Sequence, residues 1–247
     1  MGGRARSWLA LAAGAGLLLG GCSRLSGALE QHPSDAQLMR AVSLTEQDAA
    51  DGAAFQPYEG GTEVGGRTSL DLCFGDFPSE DRRVGRNQVG IGDPSGRAWV
   101  SSEAILYRTP EEARAAMGEL EAARRACPDT PVQPPEPDRD PLVWQFRDVP
   151  DGDWPDEPGV ARQAYAFEVT DASGSSWTGS ATYLQRGRMV LALYATPPEG
   201  SAATIRNAPG AARFADVLAK RLAALPERAL LEANPVTDPV DPNDLEA

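Results

Sequence analysis

Hydrophobic and polar positions alternate along much of the chain, which predicts a protein built largely of β-strands. The candidate strands are residues 69–74, 85–91, 97–107, 142–147, 160–170, 175–185 and 188–196. The second and third are joined by Gly92-Asp93-Pro94-Ser95-Gly96, a run of turn-forming residues, and strands joined by so short a loop pair antiparallel. Residues 189–194 are continuously apolar, so the last strand is expected at the centre of the sheet.

Other segments follow the helical period. In Thr109-Pro110-Glu111-Glu112, threonine is an N-cap, proline takes the first helical position and a capping-box glutamate follows. An apolar stripe then continues to Cys127, and Pro128 ends the helix. A second helix is predicted over 208–225, and a short one between Ser34 and Asp48, whereas residues 49–66 are expected to form a loop.

These elements predict an α+β fold, with a largely antiparallel sheet of about six strands and at least two packed helices. We divide the chain into a lipoprotein signal peptide (1–21), a tether (22–34), an extracellular domain (35–225) and an acidic, proline-punctuated tail expected to be disordered (226–247).

The first hydrophobic run ends in Leu19-Gly20-Gly21-Cys22, which has the form of a lipobox. Processing would attach diacylglycerol to the Cys22 thiol and cleave before it, and an acyl chain such as palmitate would join the new amine. The alternatives are an ordinary signal peptide and a short membrane span, but residues 8–21 number only 14, against about 20 for a span. We therefore expect a lipid-anchored protein on the extracytoplasmic face of the cell membrane.

Charge narrows the range of partners. Residues 1–21 contain two arginines and no acidic residue, so the processed chain has 21 basic and 36 acidic side chains and a net charge of −15. Such a field repels phosphate groups, which argues against nucleic acid and against membrane binding through a basic surface. The expected partners are the membrane, through the lipid at Cys22, and a cell-wall-derived ligand or an envelope protein, bound by a monomer.

No residue pattern specifies a reaction or a cofactor. His32 is the only histidine and lies in the predicted tether, so the folded part cannot assemble a Ser-His-Asp triad, a Cys-His pair or a site of several histidines. Residues 151–157 carry four acids, but proline and aspartate at the fifth and sixth positions depart from a calcium-binding EF-hand loop. A solvated acidic loop is the simpler interpretation, and we expect neither an enzyme nor a metal site.

Cys73 and Cys127 are the cysteines that remain after lipidation of Cys22. In an oxidising exported compartment two remaining thiols most simply pair. With Cys127 on the inward stripe of a helix and Cys73 on a predicted strand, their disulfide would staple helix to sheet. A redox-active pair is the alternative, although such pairs usually have the spacing Cys-x-x-Cys.

The middle of the chain resembles a family. The lipobox, a Leu-Cys near the start of the core, Val84-Gly85-Arg86-Asn87-Gln88-Val89, the segment 100–108 and Ala126-Cys127-Pro128 are similar to those of actinobacterial sensor-domain lipoproteins. That family is similar to the extracellular sensor domain of a mycobacterial transmembrane serine/threonine kinase. The resemblance implies a disulfide-stapled domain that faces the cell wall, binds an unidentified ligand and has no catalytic motif. This chain lacks the kinase and its transmembrane helix, so we do not expect it to transmit a signal across the membrane alone.

Four residues of the resembling region are candidate ligand-binding residues: Ser101 and Glu103 on one predicted strand, with Arg86 and Trp99. The simpler alternatives are a solvent-facing Glu103, a surface salt bridge of Arg86 and core packing of Trp99. The leading functional hypothesis is a non-catalytic ligand-binding or sensory domain. The alternatives are an envelope structural or protein-interaction module and a hydrolase that uses two carboxylates about 5 to 10 Å apart.

Overall fold

A computed structural model describes residues 33–135, 139–149, 157–196, 204–206 and 208–232. Seven antiparallel strands form one sheet, and they are β1 (Ala54–Pro57), β2 (Arg83–Gly92), β3 (Ala98–Tyr107), β4 (Val143–Asp148), β5 (Ala161–Thr170), β6 (Ser176–Arg186) and β7 (Met189–Ala195). The helices are α1 (Asp35–Val42), α2 (Pro110–Ala126), α3 (Ala211–Ala224) and α4 (Glu227–Leu231). Two-residue strands β8 (Thr204–Ile205) and β9 (Ala208–Pro209) form a separate pair. The predicted α+β class is confirmed.

The strand order is β1-β2-β3-β7-β6-β5-β4, so β7 lies at the centre, as its apolar run predicts. Strands β2 and β3 pair antiparallel across the 93–97 turn, as do β5 and β6 across the turn that contains Gly174. Between β6 and β7, Gly187 adopts φ +55°, a left-handed conformation that glycine reaches without strain. The long pairing of β3 with β7 joins the two halves of the chain.

Each face of the sheet buries its own hydrophobic core. Helices α1 and α3 cover the first core, in which Leu38, Phe214 and Leu218 are almost wholly buried. Helix α2 covers the second core, which includes Leu120 and Tyr183. The hydrogen bond from the Glu112 N–H to the Thr109 hydroxyl starts α2 at the predicted cap.

The predicted strand over 69–74 is wrong, because residues Leu72–Phe74 form one turn of 3₁₀ helix. Cys73 and Phe74 have φ of +54° and +52°, so the backbone reverses where a strand would continue. The Cys73–Cys127 disulfide is confirmed, and Cys127 is the residue that caps the end of α2. The bridge therefore joins the end of α2 to this 3₁₀ turn rather than to a strand.

Short elements also replace parts of the predicted loop and tail. Strand β1 lies within the expected loop 49–66 and pairs with Val89 to Gly92 of β2. The first helix ends at Val42 rather than continuing toward Asp48, because Ser43 adopts an extended conformation and caps it. The expected disorder from residue 226 is wrong for α4, whose Leu230 is buried against the domain.

Several predicted features lie outside the described residues: the signal peptide, Cys22, His32, the acids at 151–156 and the tail beyond 232. Within the described ranges, no helix combines the length and apolar character that a membrane span requires.

Candidate ligand-binding groove

A groove of about 830 Å³ lies near the β1–β2 edge of the sheet. Three parts of the chain line it: the end of α1 with residues 43–46, the loop 58–63, and the neighbouring parts of β1 and β2. Small-molecule sites typically measure about 300 to 1,000 Å³ and combine apolar walls with a few fixed polar groups. The size of this groove falls in that range.

Residues 43–46 are held by hydrogen bonds to strand β3 and to helix α3. The Leu44 N–H donates to Ser102 Oγ on β3 at 3.0 Å, and Leu44 itself is buried. Asp48, just beyond, accepts hydrogen bonds from the Arg221 guanidinium of α3. Burial opposes ionisation of Asp48, but Arg221 and Thr45 outweigh it and lower the Asp48 pKa. This part of the groove is therefore anchored to both the sheet and α3.

The loop 58–63 continues the edge of the sheet. The Tyr58 N–H donates to the Gln88 carbonyl at 3.3 Å, and the Gln88 N–H donates to the Gly61 carbonyl at 3.0 Å. A Cβ on Gly61 would lie 2.7 Å from the Gln88 carbonyl oxygen, so only glycine allows this close approach. The loop is thus held to β2 by backbone hydrogen bonds.

A buried ion pair supports the same loop. Arg86 is 5% exposed and Glu103 is 2% exposed, and the Arg86 Nε donates to the Glu103 carboxylate across the β2–β3 pair. Arg86 Nη1 donates to the Gly60 carbonyl at 3.1 Å, while its Nη2 donates to Gln88 Oε1 at 2.8 Å. The charges are compensated and their hydrogen-bonding capacity is used, as a buried pair requires. Arg86, which is paired with Glu103, therefore supports the loop 58–63 through its hydrogen bond to the Gly60 carbonyl. Neither Arg86 nor Glu103 lines the groove.

Burial sets the protonation of Glu103. Removal of water raises the Glu103 pKa, and this effect outweighs the opposing effects of Arg86 and Ser69. The folded state therefore keeps a proton on this carboxyl in a pH range where the unfolded chain has lost it.

Replacing Glu103 with glutamine should change how stability depends on pH. The raised pKa means that the wild-type free energy of unfolding falls as pH rises from about 4.5, the ordinary glutamate value, through the folded-state pKa. Glu103→Gln keeps an oxygen acceptor for Arg86 but cannot ionise, so the variant should lack this decline. Urea unfolding at a series of pH values between 4 and 7 measures the difference, and parallel curves for the two proteins would contradict the prediction.

Ser101 and Trp99 are the other two predicted ligand residues, and neither lines the groove. Ser101 lies beside the phenol of Tyr58, and the absence of a side chain on Gly90 leaves room for the Tyr58 ring. Trp99 occupies a β-bulge, because Ile91 pairs with Val100 and Gly92 with Ala98. A bulge turns the extra side chain out of alternation, and Trp99 packs on the first core instead.

Asn87 is a groove residue that the sequence analysis missed. It is 8% exposed, and its Nδ2 donates to Ser43 Oγ at 2.8 Å. Its Oδ1 accepts no hydrogen bond from the described part of the chain and stays accessible to solvent, and Asn87 lines the groove. The run Arg86-Asn87-Gln88 inside a buried strand was the available signal, since consecutive polar residues rarely occupy such a strand without a specific role.

The groove lining combines apolar and polar side chains. It offers apolar side chains such as Phe55 and Val89, hydroxyl groups such as that of Thr62, and the carboxylates of Glu46 and Glu63. Across the described ranges, no group of three or more His, Cys, Asp and Glu side chains is placed to hold a metal ion.

Comparisons with solved structures find chains of similar fold. No family model and no curated protein matches the chain. In fold it is similar to the extracellular domain of PknH from Mycobacterium tuberculosis, with 13% identity and a TM-score of 0.45, over 78% of this chain and 97% of that domain. It is also similar to an uncharacterized protein of Mycobacterium smegmatis, an Rv0999 ortholog, with 9% identity and a TM-score of 0.41, over 78% of this chain and all of that one.

Proposed function

We propose that the protein is a membrane-anchored extracytoplasmic lipoprotein whose folded domain binds a ligand, without catalysing a reaction, in the groove between residues 43–46 and the loop 58–63. The observation that carries this proposal is Asn87, an amide that is 8% exposed and lines a groove of about 830 Å³, and whose Oδ1 accepts no hydrogen bond from the described part of the chain. A ligand that donates a hydrogen bond to Asn87 Oδ1 would give this oxygen a fixed partner in place of solvent, and such a hydrogen bond typically contributes about 0.5 to 1.5 kcal/mol.

The way the groove is held also supports binding. Hydrogen bonds to Ser102 and Arg221 fix one part of its lining, and those to Gln88 and Arg86 fix another. A site that is already ordered before the ligand arrives loses little conformational entropy on binding.

Two features support an exported, anchored protein. The run Leu19-Gly20-Gly21-Cys22 has the form of a lipobox, and the Cys73–Cys127 disulfide is of the kind that persists in oxidising compartments. We propose that acyl chains on Cys22 hold the protein to the membrane, since two or more chains give stable attachment.

Ligand binding can be tested with N-phenyl-1-naphthylamine, a neutral apolar dye whose fluorescence rises in apolar sites. We expect the purified full-length protein to bind the dye, and Thr62→Trp, which adds bulk to the groove lining, to weaken binding about tenfold. The matched control is Thr178→Trp at an exposed position of β6, a strand that contributes no residue to the groove lining. Absence of dye binding, or equal losses in both variants, would count against the groove as a ligand site.

The anchor has a separate test. Cys22→Ala removes the acylated thiol, so the protein should move from the membrane fraction to the soluble or secreted fraction of cells that express it. Cys22→Ala protein that stays in the membrane fraction would overturn the lipid anchor while leaving the groove proposal intact.

A further inference from the structure

The charges and acceptors around the groove point to the chemistry of its ligand. We infer that the groove selects amphipathic molecules in which a primary ammonium group is attached to an apolar body. This inference rests on the proposed function, because it names the ligand class of the same groove.

The first observation is the unused acceptor inside the groove. Asn87 Oδ1 is the polar atom of a side chain that is 8% exposed, and the opposite end of the same amide is fixed by Ser43. Ser43 in turn donates to the Met39 carbonyl at 2.8 Å, which fixes the Ser43 hydroxyl as the acceptor for Asn87 Nδ2. The Asn87 amide therefore presents an oxygen to the groove, and the matching ligand atom carries an N–H or O–H.

The second observation is the pair of acidic side chains in the lining. Glu46 is exposed, and its carboxylate makes no ion pair or hydrogen bond with any residue in the ranges described. Glu63 pairs with Arg67 at 3.4 Å, but both side chains are about half exposed, so solvent weakens this pair. Both carboxylates can accept a cation from the ligand.

Basic side chains do not balance these acids. Of the described residues that line the groove, Arg40 is the only basic one, and Arg40 already interacts with another group of the protein. The nearby guanidinium of Arg86 is occupied by Glu103, Gly60 and Gln88. An anionic ligand would therefore meet two carboxylates without a free cation to offset them.

Apolar and aromatic surface supplies the rest of the site. Phe55 and Val89 offer a place for an apolar body, and Tyr58 is 38% exposed, which leaves part of its ring open to solvent. An ammonium group close to an aromatic face is stabilised by the ring electrons. The formal charge of the chain, −13, also attracts cations toward the protein at long range.

Three probes with one skeleton test the inference: 4-phenylbutylamine, 4-phenylbutan-1-ol and 4-phenylbutyrate, which are cationic, neutral and anionic at pH 7. Isothermal titration calorimetry of the purified full-length protein at low salt should give affinities in that order, with the amine about tenfold tighter than the acid or more. The neutral dye N-phenyl-1-naphthylamine should be displaced by the amine, which places both in one site.

Matched variants test whether the preference for the amine arises from the groove. Glu46→Gln should weaken the amine roughly threefold and leave the alcohol unchanged. Glu59 lies in the same loop and is exposed, but it is not among the residues that line the groove, so Glu59→Gln should change neither affinity. An equal loss in both variants would attribute the preference to net charge and overturn the assignment to the groove.

The outcomes separate this inference from the proposed function. Equal binding of the amine, alcohol and acid, or binding of the dye without any of the three probes, overturns the ammonium preference and leaves ligand binding in place. Failure of the dye and of all three probes overturns both.

Discussion

Replacing Cys73 and Cys127 together with alanine should lower the free energy of unfolding by about 4 kcal/mol. The disulfide joins residues 54 positions apart, so it removes a large loop-closure entropy from the unfolded chain. It also fixes a 3₁₀ turn in which two consecutive residues other than glycine have positive φ, a conformation that persists only when its surroundings hold it. Urea unfolding of the oxidised wild type and of the double variant measures the loss.

Reduction provides the control for this prediction. Wild-type protein treated with a strong thiol reductant should approach the stability of the double variant, whereas the same reductant should leave the double variant unchanged. Equal unfolding midpoints for oxidised wild type and double variant would show that the bridge contributes nothing to stability.

Replacing Asp35 with alanine should destabilise the fold by roughly 3 to 5 kcal/mol. Asp35 begins α1 and is 6% exposed, and its carboxylate accepts hydrogen bonds from the Arg188 guanidinium, which is 1% exposed. The variant leaves the positive charge of Arg188 buried without its partner. Chemical unfolding monitored by circular dichroism measures the change.

Two variants show whether burial is the cause. Glu121→Ala breaks an ion pair with Arg125 in which both side chains are half exposed or more, and it should cost less than 1 kcal/mol. Asp35→Leu combined with Arg188→Met removes both buried charges, and it should recover most of the stability lost in Asp35→Ala. A loss in Asp35→Ala no larger than that in Glu121→Ala would contradict the explanation.

Local sequence signals predicted the elements whose formation depends on local chemistry. Thr109 and Pro110 mark the start of α2, and the turn residues 93–96 join β2 to β3 as expected. The continuous apolar run of β7 predicted its central place, because both faces of that strand are covered. In each case a pattern within about 20 residues carried enough information.

Elements that depend on distant contacts were missed. Strand β1 has only four residues and exists because β2 offers it an edge, and α4 is a single short helix held by the burial of Leu230. The 3₁₀ turn at Cys73 is likewise fixed by its bridge to Cys127. Such short segments have weak intrinsic preferences, so tertiary contacts decide their conformation.

In the candidate site, too, local sequence predicted some contacts and missed those between distant parts of the chain. Arg86 and Glu103 were singled out from one region of sequence, and the structure brings them together because β2 and β3 are a local hairpin. The groove instead requires residues 43–46 to meet the loop 58–63 and Asn87, and no periodicity in the sequence predicts that meeting. Single polar residues in such places cannot be distinguished by pattern from ordinary surface positions.

The contacts of Arg188 also determine how the polypeptide enters and leaves the folded domain. This one guanidinium contacts Asp35 in the first helix and the Ala229 carbonyl in the last, so the beginning and end of the described domain lie side by side. Circular permutation requires that arrangement. A short linker could join the two ends, and new termini could be opened in the 171–174 turn between β5 and β6. The permuted chain would then begin and end at this turn without altering the sheet.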